Sequence, residues 1–331
     1  MTTLLRRIGF YVVAAFAAIT VNFFLPRMLP GSALQAILTK TMQTGATLSP
    51  SAVKALEAQY GVSHASLFSQ YLTYLGNTLS GNLGTSPTQS ASVSSLLGKT
   101  LPWTIGLVGS ATVIAFLLGT FLGVIAGWKR NGLMDFLLPV ATFFQAVPYF
   151  VLGMLLLVVG GVELKWFPLA GGYTIGSRTG ALVPGWNWPF ISSVLQHGVL
   201  PAATVVLASI AGWIMGMRNM MITTMDEDYV LVAAAKGLPR SKVVWVAARN
   251  AILPSISNFA LSISLVVTGS IVTEIIFSYP GVGYQIYQAI TSSDYPLMQG
   301  LLLVVTFTVL GANLLADIAY VILDPRARRE A

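Results

Sequence analysis

Residues 103–127 read WTIGLVGSATVIAFLLGTFLGVIAG, an apolar stretch that contains no Asp, Glu, Lys or Arg. A helix that crosses a membrane needs about 20 mostly apolar residues, because its backbone groups must find hydrogen-bond partners within the segment. The stretch therefore predicts a membrane-spanning helix. The rest of the chain agrees with this, since 55% of its residues are hydrophobic and only 9% are charged, against roughly 25% charged residues in soluble domains.

Five further stretches lack acidic and basic residues and are long enough to span: Ile8–Pro26, Phe136–Val162, Val199–Met217, Asn250–Thr273 and Tyr295–Ala316. The sequence therefore predicts an all-α integral membrane protein with six transmembrane helices. A cleaved signal peptide is the alternative for the first stretch. It fits less well, because the apolar run continues past Asn22 without a small-residue cleavage site.

The distribution of basic residues predicts the orientation, because Lys and Arg collect in cytoplasmic segments. Twelve of the 18 basic residues lie in alternate segments between the predicted spans: Arg6, Arg7, Lys129, Arg130, Arg218, Lys236, Arg240, Lys242, Arg249, Arg326, Arg328 and Arg329. Both termini are therefore expected in the cytoplasm, which agrees with an even number of spans.

The same pattern divides the chain into four regions. We expect the first transmembrane helix in residues 1–29 and a polar extracytoplasmic segment in 30–100. Residues 101–325 form a five-helix core that contains a cytoplasmic segment, residues 219–253. Residues 326–331 form a cytoplasmic tail.

A short helix is predicted within residues 219–253. Thr223 with Asp226, and Thr224 with Glu227, both fit a capping box, and acidic residues favour the positive end of a helix. The helix would run from Glu227 to about Lys236. Gly237 and Pro239 would end it, and Ser241 would cap a second helix that ends near Pro254.

One face of this short helix carries little side-chain bulk. Val230, Ala233, Ala234 and Gly237 share it, and small residues allow another backbone to approach closely. The face suits insertion into a groove of a partner protein. An ordinary loop helix lying on the membrane surface explains the pattern equally well.

Several motifs together resemble one transport family. The segment DYVLVAAAKGLP (residues 228–239), followed by ARNAILP (248–254), resembles the coupling motif of ABC importer permeases in the dipeptide, oligopeptide and nickel permease family. TEIIFSYPGVG (273–283), DYPLMQG (294–300) and DPRAR (324–328) resemble that family's C-terminal third. The similar residues extend over nearly the whole chain.

The resemblance implies a type I ABC importer permease fold in the plasma (inner) membrane of a prokaryote. It implies a second homologous permease subunit, identical or different, two cytoplasmic ABC ATPase subunits, an extracytoplasmic substrate-binding protein and membrane lipid as partners. The residues expected to couple to the ATPase are Asp228, Tyr229, Val230, Ala233, Ala234, Lys236, Gly237 and Leu238. Small oligomers such as dipeptides and oligopeptides are the expected substrates.

Departures from the family pattern leave other substrates open. Ser32 and Ala33 stand where the opening motif usually continues as Asp-Pro, and Asn82 replaces an Asp of the first external segment. Leu231 stands where the general coupling motif has Glu. Because relatives also carry oligosaccharides and metal chelates, β-linked oligosaccharides remain an alternative to peptides.

The sequence offers little for catalysis or cofactors. It contains no GxxxxGK[ST] phosphate loop and no cysteine, and its two histidines, His64 and His197, lie far apart. We therefore expect no enzyme activity, no cofactor, no metal site and no nucleic-acid partner. Glu274 and Asp317, at the ends of predicted spans five and six, are expected to have structural roles. An ATPase-independent channel or carrier, or an integral-membrane enzyme, would be the alternative classes.

Overall fold

Helices satisfy the backbone within a single segment, and the computed structural model is built mainly from them. It describes residues 2–28, 49, 51, 66–129, 133–176, 182–265 and 271–323. The described helices are α1 (Thr2–Met28), α2 (Leu67–Leu79), α3 (Val93–Thr104), α4 (Ser110–Trp128), α5 (Leu133–Ala146), α6 (Tyr149–Leu156), α7 (Trp188–Met225), α8 (Asp228–Ala235), α9 (Arg240–Ala251), α10 (Leu253–Leu265), α11 (Ile271–Ile276), α12 (Val282–Thr291) and α13 (Tyr295–Leu323).

Three irregular elements complete the described part of the chain. A π-helical turn, Ile105–Gly109, joins α3 to α4, and a second, Leu157–Glu163, extends α6. A short antiparallel hairpin pairs β1 (Thr85–Ser86) with β2 (Ala91–Ser92). This hairpin is a small departure from the predicted all-α class.

Polar side chains fix where several helices begin. Ser66, Ser92 and Asn187 precede α2, α3 and α7, and each accepts a hydrogen bond from the backbone N–H three residues further on. Such a cap satisfies one of the amides that the first turn of a helix leaves free. The capped helices α3 and α7 therefore begin well before the apolar stretches that predicted them.

Four helical segments of the described chain are long and apolar enough to cross a membrane: Gly9–Met28, Val93–Trp128, Trp188–Met225 and Tyr295–Leu314. They correspond to the predicted first, second, fourth and sixth spans. The second begins at Val93 rather than Trp103. The fourth is much longer than the predicted Val199–Met217, so residues on both sides of that stretch are also helical.

The predicted third span, Phe136–Val162, is wrong as a single helix. It consists of Phe136–Ala146 and Tyr149–Glu163, which are bent by 104° at the break between them. Pro148 lies at this break and supplies no backbone N–H, which explains why the helix cannot continue. The pair is either a broken span or a re-entrant loop.

The predicted fifth span, Asn250–Thr273, is divided. Its first residues belong to α9 and the remainder to α10 and α11, and residues 266–270 lie outside the described part. The number of six spans therefore stays a prediction. The side chain of Asp317 also lies outside the described residues.

The closest helix pair of the described chain is α4 and α7. Three glycines of α4, spaced four residues apart, face three residues of α7 with the same spacing: Gly119 faces Trp213, Gly123 faces Met217 and Gly127 faces Met221. A Cβ added to any of these glycines would lie 2.5–2.6 Å from the Cβ opposite. The two helices therefore run parallel along this glycine seam, and each glycine is needed for the close approach.

Polar contacts join α1 to the rest of the bundle. Asn22 is buried in α1, and its amide donates to the backbone oxygen of Gln299 in α13 at 2.8 Å and to the hydroxyl of Tyr74 in α2 at 3.0 Å. Hydrogen bonds between helices help to hold membrane bundles, in which lipid supplies no hydrophobic driving force for helix association.

The glycine seam predicts the effect of a larger side chain. Gly123→Leu should destabilise the bundle by about 2 kcal/mol or more, because its Cβ would meet Met217 at 2.6 Å and the backbone oxygen of Ile214 at 2.7 Å. Thermal unfolding of the purified protein, followed by tryptophan fluorescence, measures the change. Gly216→Leu is the matched control, since a Cβ there meets nothing within 4 Å. Equal melting temperatures for the two variants would contradict the assignment.

Candidate functional site

The coupling segment (residues 219–253) begins with the last turns of α7. That helix continues through Met225, and the backbone N–H of Asp226 closes it by donating to Thr223 and Thr224. The predicted capping boxes are therefore wrong. Thr223 and Thr224 belong to the end of α7 rather than to the start of the next helix, and the Thr223 hydroxyl donates to Asn219 in its own helix.

The short helix itself is confirmed almost as predicted. It covers Asp228–Ala235, and Glu227 precedes it without a side-chain cap. Gly237 ends it with a φ of +76°, and the N–H of Gly237 donates to Ala234 at 3.0 Å. A left-handed conformation after the last helical residue favours glycine, because any Cβ would be strained there.

The predicted small-residue face is only partly open. Val230 is 1% exposed and Ala233 is also buried, whereas Ala234 and Gly237 are exposed. Val230 packs against the chain's own α7 and α9 and so attaches α8. The buried half of the predicted face, Val230 and Ala233, is therefore not open to a partner.

One apolar cluster holds α8 in place. Its buried members come from α7, α8 and α9: Met217, Met221, Val230, Val243, Ala247, Ala248 and Ala251. The alanines of α9 allow that helix to approach α7 closely. As a result, α8 and α9 are packed on the end of α7 rather than lying as a separate loop.

The surface that α8 leaves open is more apolar than the sequence indicated. Leu231 is 57% exposed, and Tyr229, Val232 and Leu238 are exposed as well. Leu231 and Val232 were absent from the predicted set of coupling residues. Their signal in the sequence is the pairing of Val230 with Ala233 at helical spacing, which turns the intervening residues outward.

The rest of the predicted set lies around this apolar surface. Asp228 begins α8 beside the exposed Asp226 and Glu227, a position where negative charge favours the helix. Lys236 is exposed at the C-terminal end of α8. The helix therefore presents an apolar surface with acidic residues at one end and a lysine at the other.

The helix after α8 begins differently from the prediction. Pro239 is the residue before α9, and Ser241 lies inside the first turn rather than at the cap. The predicted Ser241 cap is therefore wrong. Proline suits the position before a helix, because the amide of that residue takes no part in the helical hydrogen bonds and the fixed φ of proline fits the turn.

The opposite end of α4 and α7 is organised by Glu274, which is fully buried. Its carboxylate accepts hydrogen bonds from the Thr104 hydroxyl at 2.7 Å and from the Gly283 N–H at 2.6 Å. Thr104 also accepts from the Val282 N–H at 2.8 Å. The predicted structural role of Glu274 is confirmed, since the carboxylate joins the end of α3 to the first turn of α12.

The two glycines of the SYPGVG motif are each required by a close neighbour. A Cβ at Gly281 would lie 2.3 Å from the Glu274 carboxyl carbon, and one at Gly283 would lie 2.5 Å from the backbone of Ile271. Burial, together with the negative charge of Glu274, raises the pKa of the neighbouring Tyr279 to about 12. That phenol therefore stays protonated at physiological pH.

A second buried carboxylate explains the DYPLMQG motif. Asp294 accepts from the Leu297 N–H at 3.1 Å at the start of α13 and from the hydroxyls of Ser86 and Thr88. It thereby attaches the β1–β2 hairpin to α13. The buried carboxylates of Glu274 and Asp294 are thus both satisfied by hydrogen bonds within the chain.

A polar pocket of about 280 Å³ lies between α1, α2 and the start of α13. Arg27 is the charged residue in its described lining, and Tyr74, Asn77 and Gln299 also line it. The volume is at the lower end of the range for small-molecule sites.

The described residues contain no group of three or more His, Asp or Glu side chains that could hold a metal ion. His197 is buried in α7, and its Nδ1 lies 2.8 Å from the backbone oxygen of Ser193 one turn earlier. His64 lies outside the described residues.

Comparisons with known proteins agree on one family. The family described as "Binding-protein-dependent transport system inner membrane component" matches residues 119–329. The chain is 34% identical to the di/tripeptide transport system permease protein DppB of Pseudomonas aeruginosa (strain UCBPP-PA14) over 98% of both chains. It is 33% identical to the oligopeptide transport system permease protein AppB of Bacillus subtilis (strain 168), over 78% of this chain and 79% of that protein.

The apolar cluster predicts how firmly α8 is held. Val230→Ala should raise the amide hydrogen exchange of residues 228–235 about tenfold, because losing two buried methyl groups costs on the order of 1–1.5 kcal/mol. Mass spectrometry of the exchanged protein gives the measurement. Leu231→Ala is the matched control, since that side chain is exposed. If both variants exchanged alike, α8 would not be held by Val230.

Proposed function

The chain belongs to the family of binding-protein-dependent transport system inner-membrane components, ABC importer permeases that lie in the inner membrane of prokaryotes with several spans, and from this premise we propose that it is the permease subunit of an ATP-driven peptide importer. The substrate is a dipeptide or short oligopeptide delivered by an extracytoplasmic binding protein. The names of the relatives, di/tripeptide and oligopeptide permease proteins, support this substrate class.

One observation carries the proposal: α8 is attached to the transmembrane bundle through a continuous buried contact. Val230 packs against the end of α7 and against α9, and α7 packs along the glycine seam on α4. A force applied to α8 by a partner would therefore move two spans together. A loosely tethered loop could not transmit it.

The proposed coupling residues divide into two groups. Val230 attaches α8 to its own chain, and Ala233 is buried as well. The second group is exposed and forms the surface for an ATPase subunit. Its members are the predicted residues Asp228, Tyr229, Ala234, Lys236, Gly237 and Leu238, together with Leu231 and Val232. The exposed apolar side chains supply the buried area that such a contact needs.

The proposed assembly contains a second homologous permease subunit, two cytoplasmic ATPase subunits and the binding protein. Nucleotide binding brings the ATPases together and moves α8, which biases the bundle between inward-open and outward-open states. The chain supplies the pathway and the contact surface, and hydrolysis takes place in the ATPase subunits.

In the proposed arrangement the bundle has six spans, and α8 and both termini lie in the cytoplasm. The 12 basic residues in the predicted cytoplasmic segments support this orientation. The glycine seam agrees in one respect, since it brings Lys129 at the end of α4 to the same end of the bundle as α8.

Two other classes are less well supported. A channel or secondary carrier would need no surface for an ATPase, whereas α8 leaves one exposed. Among the described residues, the buried carboxylates of Glu274 and Asp294 are fixed by hydrogen bonds, which does not suit a proton relay. Within the leading class, β-linked oligosaccharides are the alternative substrate.

The orientation can be tested cleanly because the chain contains no cysteine. Ser241→Cys and Ser80→Cys each introduce one thiol at an exposed position. In spheroplasts a membrane-impermeant maleimide should label the variant at position 80 at once, and the variant at position 241 only after permeabilisation. Labelling of position 241 in unbroken spheroplasts would refute the proposed orientation.

The coupling role predicts a separation of two activities. In vesicles containing the whole transporter, Ala234→Arg should lower peptide uptake per ATP hydrolysed at least tenfold, because a bulky charge on the exposed face blocks docking. Uptake of a labelled di- or tripeptide and release of phosphate are measured together. Melting temperature should not change, since Ala234 is exposed.

Ser94→Arg, an exposed change in α3 at the other end of the bundle, is the matched control and should leave the ratio unaltered. An unchanged ratio for the Ala234 variant would count against docking at α8. Competition by β-linked oligosaccharides but not by peptides would instead overturn the substrate class and leave the coupling role standing. Uptake without ATP would favour the channel or carrier.

A further inference from the structure

The outward face of α9 combines an aromatic ring with basic side chains. Trp245 is 69% exposed, and Lys242 and Arg249 are exposed beside it. Spacings of three and four residues place all three on one side of the helix, which we call the α9 outer face. The opposite side is buried on α7 through Val243 and Ala247.

The depth of this face follows from what packs on α7. The last turn of α4 contacts α7 at Met221 through Gly127, directly before Trp128 and Lys129. The α9 helix packs against the same turn of α7, because Met217 and Met221 share its apolar cluster. The buried side of α9 therefore lies at the level of the last turns of α4, just before Trp128 and Lys129 end the apolar span.

Aromatic and basic side chains mark that depth in membrane proteins, since tryptophan favours the headgroup region and lysine and arginine favour the anionic leaflet. Exposed apolar residues follow the α9 outer face along the chain. Leu253 and Ile256, on the first turns of α10, are exposed. A change from basic and aromatic to apolar residues along the chain matches the change from headgroups to acyl chains.

The charge of α9 has one sign. The helix contains Arg240, Lys242 and Arg249 and no acidic residue. The start of α8, by contrast, is acidic through Asp226, Glu227 and Asp228. The two helices of the coupling segment therefore present surfaces of different chemistry, one for a protein partner and one for an anionic surface.

We propose that the α9 outer face binds anionic phospholipid of the cytoplasmic leaflet, with Trp245 among the headgroups and Lys242 and Arg249 on lipid phosphates. Lipid on this face holds the coupling segment at a fixed depth while α8 is left free for its partner. The proposal rests on the proposed function for one point, that the α8 end of the bundle is cytoplasmic. The thiol-labelling experiment tests that point separately.

The main measurements use the full chain in nanodiscs and in detergent, without ATP or other subunits. In nanodiscs of phosphatidylcholine and phosphatidylglycerol, acyl chains brominated near the headgroup should quench the fluorescence of Trp245. This fluorescence is obtained as the difference between the native chain and the Trp245→Phe variant. In detergent, the Lys242→Gln, Arg249→Gln double variant should retain at least tenfold less phosphatidylglycerol by native mass spectrometry, about fivefold for each charge removed.

Arg240→Gln is the matched control, since it removes the same charge from the same helix away from the outer face, and it should lower retention less than twofold. Equal losses for Arg240→Gln and either single variant, or an unquenched Trp245, would overturn the proposal. So would loss of the quenching when the ATPase subunits are added, because the face would then belong to a protein contact. A failed coupling test at Ala234 would leave these lipid measurements unaffected.

Discussion

The close approach of α4 and α7 is the constraint on which the rest of the bundle depends. In lipid, helices gain little by hiding apolar surface from their surroundings, so association relies on packing and hydrogen bonds. Gly119, Gly123 and Gly127 bring the two backbones together, and the side chains of Trp213, Met217 and Met221 fill the space that the glycines leave. The seam fixes the depth and direction of α7, and α7 in turn positions both helices of the coupling segment.

Contacts along this pair join the two ends of the bundle. At one end, Val230 attaches α8 to the last turns of α7. At the other, Thr104, in the helical run that continues into α4, binds the Glu274 carboxylate and through it the first turn of α12. Packed interiors change by discrete rearrangement rather than by continuous deformation. Such a path suits a protein that passes movement from a partner at one end to a pathway through the bundle.

The division of labour within the coupling segment follows from the packing of small residues. Ala233 in α8 and Ala247, Ala248 and Ala251 in α9 are buried, so the two helices approach α7 closely and turn their larger residues outward. On α8 those residues are apolar and suit a protein groove, whereas on α9 they are basic and aromatic and suit the bilayer surface. One small cluster thus supports two different outward surfaces.

The sequence by itself determined the membrane class, the positions of most spans, the short helix of the coupling segment and its stop at Gly237. These depend on local properties, namely the length of apolar stretches and the conformational freedom of glycine. Only the tertiary structure decided which side of α8 is open and what Glu274 binds, because both depend on residues distant in sequence, such as Met217 for Val230 and Thr104 for Glu274. The size of the 104° bend also came only from the tertiary structure, since Pro148 predicts a break in the helix but not the angle at which the chain continues.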